Sequence, residues 1–330
     1  MATGLTTAEA NELLPQEPTR AVRDPIRLKY LIIGQPKWGK TTFACSAPES
    51  LLLAFEEGHA FHETHKIVVD EWSRPFAERG WATDDDGNRH TSLVEAVDAI
   101  MESDRFDLVI LDTADMACKM CLDYHYKKLG VSHAQDAGDY GKGWDICLTQ
   151  PFRQQIGRLM KSGRGIIFIT HSQIITKKRG ATEVTRAETT LPSQAQKFLH
   201  TQADVILHGS FGRKIKGEHD RDRVISLDGS NEILAGSRVR GLRLPSKFVV
   251  APDNPWKQWA SFFESDEAVD AAEEEYAIRM GISAKEETAE AEAPVETISS
   301  GGDTAEASPE VVLPNRKAAT KKPGQRRATR

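Results

Sequence analysis

Residues Gly34-Gln35-Pro36-Lys37-Trp38-Gly39-Lys40-Thr41-Thr42 carry the spacing G-x-x-x-x-G-K-[ST]. Each position has a chemical task. Glycines let backbone N–H groups curl around phosphate oxygens, Lys40 reaches the β- and γ-phosphates of a nucleotide, and the Thr41 hydroxyl ligates Mg²⁺. A bulky ring is unusual in such a loop, and Trp38 is expected to pack on the sheet rather than to cover a nucleotide. A magnesium ion also calls for an acidic group at the tip of an adjacent buried strand. Phe106-Asp107-Leu108-Val109-Ile110-Leu111-Asp112-Thr113 supplies it in Asp112. Helix capping is the competing role for Asp112, and Asp115 is the spare candidate. A third requirement, a carboxylate that polarises attacking water, is met where the apolar run 51–55 enters Glu56-Glu57-Gly58-His59-Ala60. Neighbouring strand residues point to opposite faces, so one of the pair acts; Glu57, beside the glycine, is favoured.

These groups need a scaffold that brings several strand ends together. From Ile26 onward, short apolar runs alternate with longer mixed segments. The runs are Tyr30-Leu31-Ile32-Ile33, Leu51-Leu52-Leu53-Ala54-Phe55, Leu108-Val109-Ile110-Leu111, Ile166-Ile167-Phe168-Ile169 and Val205-Ile206-Leu207. Continuous apolarity marks strands covered on both faces, and the intervening helical segments mark parallel connections. Apolar residues recur at helical spacing over 93–102 and 151–161, and Ala195, Phe198 and Leu199 share one side of 194–201. The segments 224–227, Ile233-Leu234 and 248–250 are expected as antiparallel strands closing the sheet. The fold class is α/β, a mostly parallel sheet flanked by helices.

The 330 residues carry a net charge of −6, unevenly distributed. Residues 264–310 hold two basic and fifteen acidic side chains and 315–330 seven basic and no acidic ones, which leaves 1–263 neutral. Almost no large apolar residue follows Ile282, so this stretch cannot bury enough surface to offset the entropy of ordering it. The expected organisation is a flexible segment 1–24, one domain over 25–263 and a disordered tail 264–330, acidic over 264–310 and basic over 315–330. No run reaches the ~18 consecutive apolar residues of a spanning helix, and 6–23 lacks the apolar core of a secretion signal. Four cysteines, at 45, 118, 121 and 147, suit a reducing compartment, and a cytoplasmic protein without membrane contact is expected. Cys118, Cys121 and His125 fall on one helix face, but structural zinc draws on two paired ligand turns, so buried thiols are expected.

In the order of its motifs the chain resembles the RecA-like P-loop ATPases, and among them the phage-type AAA/RecA nucleotide-binding proteins linked to single-strand DNA annealing and recombination. The resemblance rests on the phosphate loop, Leu53-Ala54-Phe55-Glu56-Glu57-Gly58-His59-Ala60 and 108–113. It continues through Asp139-Tyr140-Gly141-Lys142-Gly143-Trp144, Gly165-Ile166-Ile167-Phe168-Ile169-Thr170-His171-Ser172-Gln173 and 196–207, and covers roughly 28–250. It implies a RecA-like ATP-binding domain with ATP and Mg²⁺ as cofactors, stimulated by DNA or by oligomerisation, in a bacterial or phage-infected cell. It implies a γ-phosphate sensor after the strand ending at Thr170, either His171, which fits best, or Gln173. Directly afterwards the family has a mobile DNA-contacting loop; here Thr176-Lys177-Lys178-Arg179-Gly180 opens a polar segment to about Leu191 whose cations neutralise backbone phosphates. Arg238-Val239-Arg240 stands where relatives carry a Lys-x-Arg pair that crosses a subunit interface to the neighbour's γ-phosphate. The implied catalytic set is Lys40, Glu57, His171, Arg238 and Arg240. The implied partners are single-stranded DNA, further copies of the chain in a ring or filament, and a replication or recombination protein at the tail. With no polymerisation domain or separate DNA-binding domain in view, the implied role is annealing or mediation in recombination, replication or repair. The alternative is a nucleotide-dependent switch or helicase loader acting on a protein partner without binding DNA.

Overall fold

The continuous apolar runs form the middle of one sheet in the computed structural model, which describes residues 6–15, 17, 21–179, 182–212 and 221–282. In chain order the strands are β1 (Lys29–Gly34), β2 (Ser50–Ala54), β3 (His65–Glu71), β4 (Ala82–Thr83), β5 (Arg89–Ser92) and β6 (Leu108–Asp112). They continue with β7 (Gly165–Arg179), β8 (Thr182–Thr189), β9 (Val205–Phe211), β10 (Arg223–Ser226), β11 (Gly236–Ser237) and β12 (Lys247–Val249). The helices are α1 (Thr7–Leu13), α2 (Lys40–Cys45), α3 (Leu93–Glu102), α4 (Ala114–Leu129), the single turn α5 (Lys142–Trp144), α6 (Gln150–Met160), α7 (Ser193–Gln202), α8 (Pro255–Ser261) and α9 (Asp266–Met280). None among the described residues is long and apolar enough to cross a membrane.

The strand order is β12-β10-β9-β1-β7-β6-β2-β3-β5-β4. From β9 to β5 all pairs are parallel, and β10, β12 and β4 close the edges antiparallel. Strand β1 lies between β7 and β9, both from much later in the chain, so the loop that leaves it opens at a topological switch point, where α/β sheets place their ligands. Alternate residues of β1 serve two cores. Leu31 and Ile33 pack with Val97 of α3, Ala117 of α4, Ile156 of α6 and Leu199 of α7. Tyr30 and Ile32 pack on the other face with Phe43 of α2, Trp259 of α8 and Val269 of α9. There the Tyr30 hydroxyl donates to Pro25 O (2.6 Å) and accepts from Trp259 Nε1 (3.1 Å), so neither buried polar group lacks a partner.

Four expectations need correction. First, the segment expected as a loop from Thr176 to about Leu191 is largely a β-hairpin. Strand β7 runs on past the core to Arg179 and pairs antiparallel with β8, Ser172 opposite Thr189 and Arg179 opposite Thr182. The β-branched residues Ile174, Ile175, Thr176, Val184 and Thr185 favour strands, and the polar composition concealed that preference. Second, Ile233-Leu234 is not a strand; Ile233 makes one parallel bridge to Ala187. Third, β3 to β5 were not anticipated, because β3 is only partly buried and lacks a continuous apolar run. Fourth, the domain does not end at 263. Ser265 caps α9 through Ala268 N (3.3 Å), Val269 and Ala272 are buried, and Arg243 pairs with Asp270 and Glu273. Two small apolar residues and a neutralising arginine thus offset an acidic sequence. The rest of the expected tail, 283–330, lies outside the described residues, as do 1–5, 16 and 18–20.

Candidate active site

The phosphate loop leaves β1 at Gly34, whose neighbours across the sheet are His171 on β7 and Gly209 on β9. Ala54 at the end of β2 pairs with Asp112 at the end of β6, so register alone brings the candidate acids to one rim. Gly39, with φ 103°, turns the loop into α2 in a conformation open to glycine. Trp38 is buried: its Nε1 donates to Ser210 O (2.7 Å), and a Cβ at Gly209 would lie 2.7 Å from its ring. The ring therefore pins the loop to β9, as expected, and Gly209 is the residue that admits it.

Lys40 is also buried and donates to Gly34 O and Gln35 O, both at 2.9 Å. Burial holds its ammonium below the ordinary value, against the pull of Asp112, Asp115 and Glu56. Thr41 Oγ1 donates to Asp112 Oδ2 at 2.6 Å. Asp112 is free for this because Thr113, not Asp112, caps α4, accepting from Met116 N (3.4 Å). Burial raises the Asp112 carboxyl above its usual value despite the Thr41 hydroxyl. A hydroxyl and a carboxylate in direct contact at the end of the loop form the oxygen donor set that suits Mg²⁺.

Around this pair opens a cavity of about 480 Å³ lined by Gly39, Lys40, Glu56, Asp112, His171 and Arg223, among others. Glu56 belongs to it: its Oε1 accepts from Thr113 Oγ1 (2.9 Å). Glu57, the favoured candidate, does not line the cavity; it is exposed in the first turn of the 3-10 helix Glu57–Phe61. His171 lines the cavity, whereas Gln173 donates to Thr189 O (3.2 Å) on the arm. Asp115 takes another task. It accepts from Thr170 Oγ1 (2.9 Å), His171 N (2.9 Å) and Thr190 Oγ1, and so clamps both strands of the hairpin at its base to α4. The His171 ring, its Nδ1 3.6 Å from Asp115 Oδ2, and those hydrogen bonds outweigh burial and hold its carboxyl below the usual range.

A second cavity of about 580 Å³ shares Lys37, Gly39, Thr42 and Arg223 with the first and extends past Phe211 to Val249, Val250, Ala251 and Pro252. Arg223 went unnoticed in the sequence because it opens an ordinary short strand. The guanidinium stands beside Gly39, where a Cβ would come within 3.0 Å of it. Arg238 and Arg240 lie elsewhere. Arg238 N donates to Asp204 O, and its guanidinium to Thr201 O, at the start of β9 and hence at the end of the sheet remote from Gly34. The backbone of Lys177, Lys178 and Arg179 pairs with Val184, Glu183 and Thr182 near the hairpin tip; their side chains lie outside the described set. Cys118, Cys121 and Cys147 are buried thiols, with Cys121 Sγ donating to Cys147 O (3.4 Å).

A family model described as an AAA domain matches residues 26–239, which includes every residue named around the first cavity. The chain belongs to the AAA-domain family. That membership makes it a nucleotide-binding domain of ATPase type, and the AAA span runs from the approach to β1 through β11. Helices α8 and α9, which complete the second core, lie beyond it. No curated protein matches the chain.

Proposed function

We propose that the protein hydrolyses ATP with Mg²⁺ and couples the state of the nucleotide to single-stranded DNA held at the β7–β8 arm, in phage-type recombination (annealing or mediator), replication or repair. The observation that carries the hydrolytic reading is the convergence of Lys40, Thr41, Asp112, Glu56 and His171 on one cavity. ATP sits with its β- and γ-phosphates there and its nucleoside in the adjoining cavity, the two meeting at Thr42 and Arg223. Thr41 and Asp112 would hold Mg²⁺, which would supply Lewis-acid polarisation of the γ-phosphoryl group. Lys40 exchanges the carbonyls of Gly34 and Gln35 for phosphate oxygens, and Arg223 adds a second positive charge. Glu56, oriented by the Thr113 hydroxyl, takes a proton from the water attacking the γ-phosphorus. His171 reads the γ-phosphate. Because its backbone N–H shares Asp115 with Thr170 and Thr190, a shift at His171 reaches both strands of the arm.

Lys177, Lys178 and Arg179 meet DNA phosphates in this reading. Arg238 and Arg240 lie far from their own loop, so a role at a γ-phosphate requires a second copy of the chain, and a ring or filament is part of the proposal. The test is steady-state ATP hydrolysis with and without single-stranded DNA at rising salt, with Lys40→Ala as the blank. The expected outcome is DNA stimulation that fades as salt rises. Hydrolysis indifferent to DNA would replace this reading with the switch acting on a protein partner.

A further inference from the structure

At the end of the sheet away from the phosphate loop, the starts of β2, β3 and β6 frame another cavity of about 320 Å³. Its floor is apolar, built by Leu51, Ile67, Ile100 and Val109. Its rim is cationic. Arg89, Arg105 and Arg164 supply its charge with His65 beside them, and no carboxylate is among its lining residues in the described part of the chain. Lys66 borders it too, but its ammonium turns toward His59 O (3.2 Å). The Arg164 guanidinium is oriented by Phe106 O (2.8 Å) and Ser103 O, carbonyls that fix its direction without neutralising its charge.

Two aromatic rings stand among these cations. The Arg105 guanidinium lies 5.1 Å from the centre of the Phe106 ring, and the His65 ring lies 5.3 Å from it, tilted by 55°. Trp81 is 68% exposed, with the Arg89 guanidinium 5.7 Å from its ring. Arg89 both caps Trp81 and lines the cavity, so the two rings belong to one track. Cations that meet a backbone, interleaved with rings that offer a stacking face, suit unpaired nucleotides; a duplex hides its base faces. The Asp84-Asp85-Asp86 turn bounds the track beyond Arg89 and repels phosphate there, so a bound strand runs from Trp81 toward Arg105 and Arg164.

We propose that this track binds single-stranded nucleic acid, with phosphates on Arg89, Arg105 and Arg164 and bases stacked on Trp81 and Phe106. It extends the DNA-binding reading above, on which the choice of DNA rests, and adds a contact surface remote from the ATP cavity. The test uses the full-length chain and a fluorescein-labelled oligothymidylate. The side chains of Trp81, Arg89 and Arg105 are exposed, and unchanged ATP hydrolysis without DNA reports that the fold persists. Arg89→Ala with Arg105→Ala should weaken binding at least tenfold and flatten the slope of log affinity against log salt by about 1.4, roughly 0.7 for each phosphate contact removed. Trp81→Ala should weaken binding on the order of tenfold and leave that slope unchanged. Ultraviolet crosslinking of the unaltered protein should mark the peptide carrying Trp81 or Phe106. If both variants bind like the parent while Lys177→Ala, Lys178→Ala and Arg179→Ala together abolish binding, the track is refuted and the arm reading stands. If the parent does not bind the oligonucleotide, the DNA reading and the track fall together. Protection of the Arg105 peptide by thymidine monophosphate but not by the oligonucleotide would make this a free-nucleotide site and overturn the proposal.

Discussion

Glu56 and Glu57 are adjacent in sequence and share a charge, yet they meet different surroundings. Both are exposed, but Glu56 lines the cavity and is held by Thr113, whereas Glu57 does not line it. Glu56→Gln should keep ATP binding and lower turnover by about 10² to 10⁴-fold, while Glu57→Gln stays close to the parent. Binding of a fluorescent ATP analogue and steady-state phosphate release measure the two quantities separately, and normal turnover in Glu56→Gln would remove it as the base. The sequence limits the choice to this pair through strand alternation. It favours Glu57, whereas the group that holds Glu56 at the cavity, Thr113, is 57 residues away and arrives only through the pairing of Ala54 with Asp112. That Lys40, Thr41 and Asp112 come together was legible because it depends on local spacing and on the end of an apolar strand. Arg223 was not, since its position beside Gly39 depends on β10 folding back antiparallel on β9.

Among the elements, the buried parallel strands were readable from continuous apolarity and α3 from its 3.6-residue period. The edge region β3–β5 was hidden by mixed composition, and the arm by its lysines and threonines. Helix α3 also fastens that edge. Glu95 forms a capping box with Ser92, accepting from Ser92 N (3.4 Å) while Ser92 Oγ accepts from Glu95 N, and it accepts further from Ser92 Oγ (2.7 Å) and from Gly80 N (2.6 Å), which leads into β4. Burial alone would raise the Glu95 carboxyl, but the hydrogen bonds from Ser92, Gly80 and Thr91 hold it below its ordinary 4.5. A carboxyl lowered by folding contributes stability above its unfolded value and loses it as pH falls through its folded one. Glu95→Ala should therefore cost about 1–3 kcal/mol at pH 7, and its deficit should shrink as the pH drops below 4.5. Urea midpoints of parent and variant at the two pH values test this, and a deficit that does not change with pH would contradict it.

For the molecule as a whole, acid acts first through histidine. His62, His125, His200 and His208 are all held below their usual value by burial, and His208 is 6% exposed with a buried Nε2 that lacks a hydrogen-bond partner. Below about pH 6.5 the unfolded chain binds protons that the folded chain refuses, so stability falls with pH in that window. The urea midpoint should be lower at pH 5 than at pH 7.5, and His208→Leu should flatten the difference; equal midpoints for the parent would refute the account. Strand β1 sits at the centre of the same architecture, paired on both edges, with Tyr30, Leu31, Ile32 and Ile33 at 0% exposure. Its amides should meet solvent only when the sheet opens, which places it, with β6 and β7, among the slowest-exchanging of the described segments. The phosphate loop is fastened to that strand at Gly34 and to β9 through Trp38, so openings at the sheet edges leave it in place and its anchor is among the last parts to unravel.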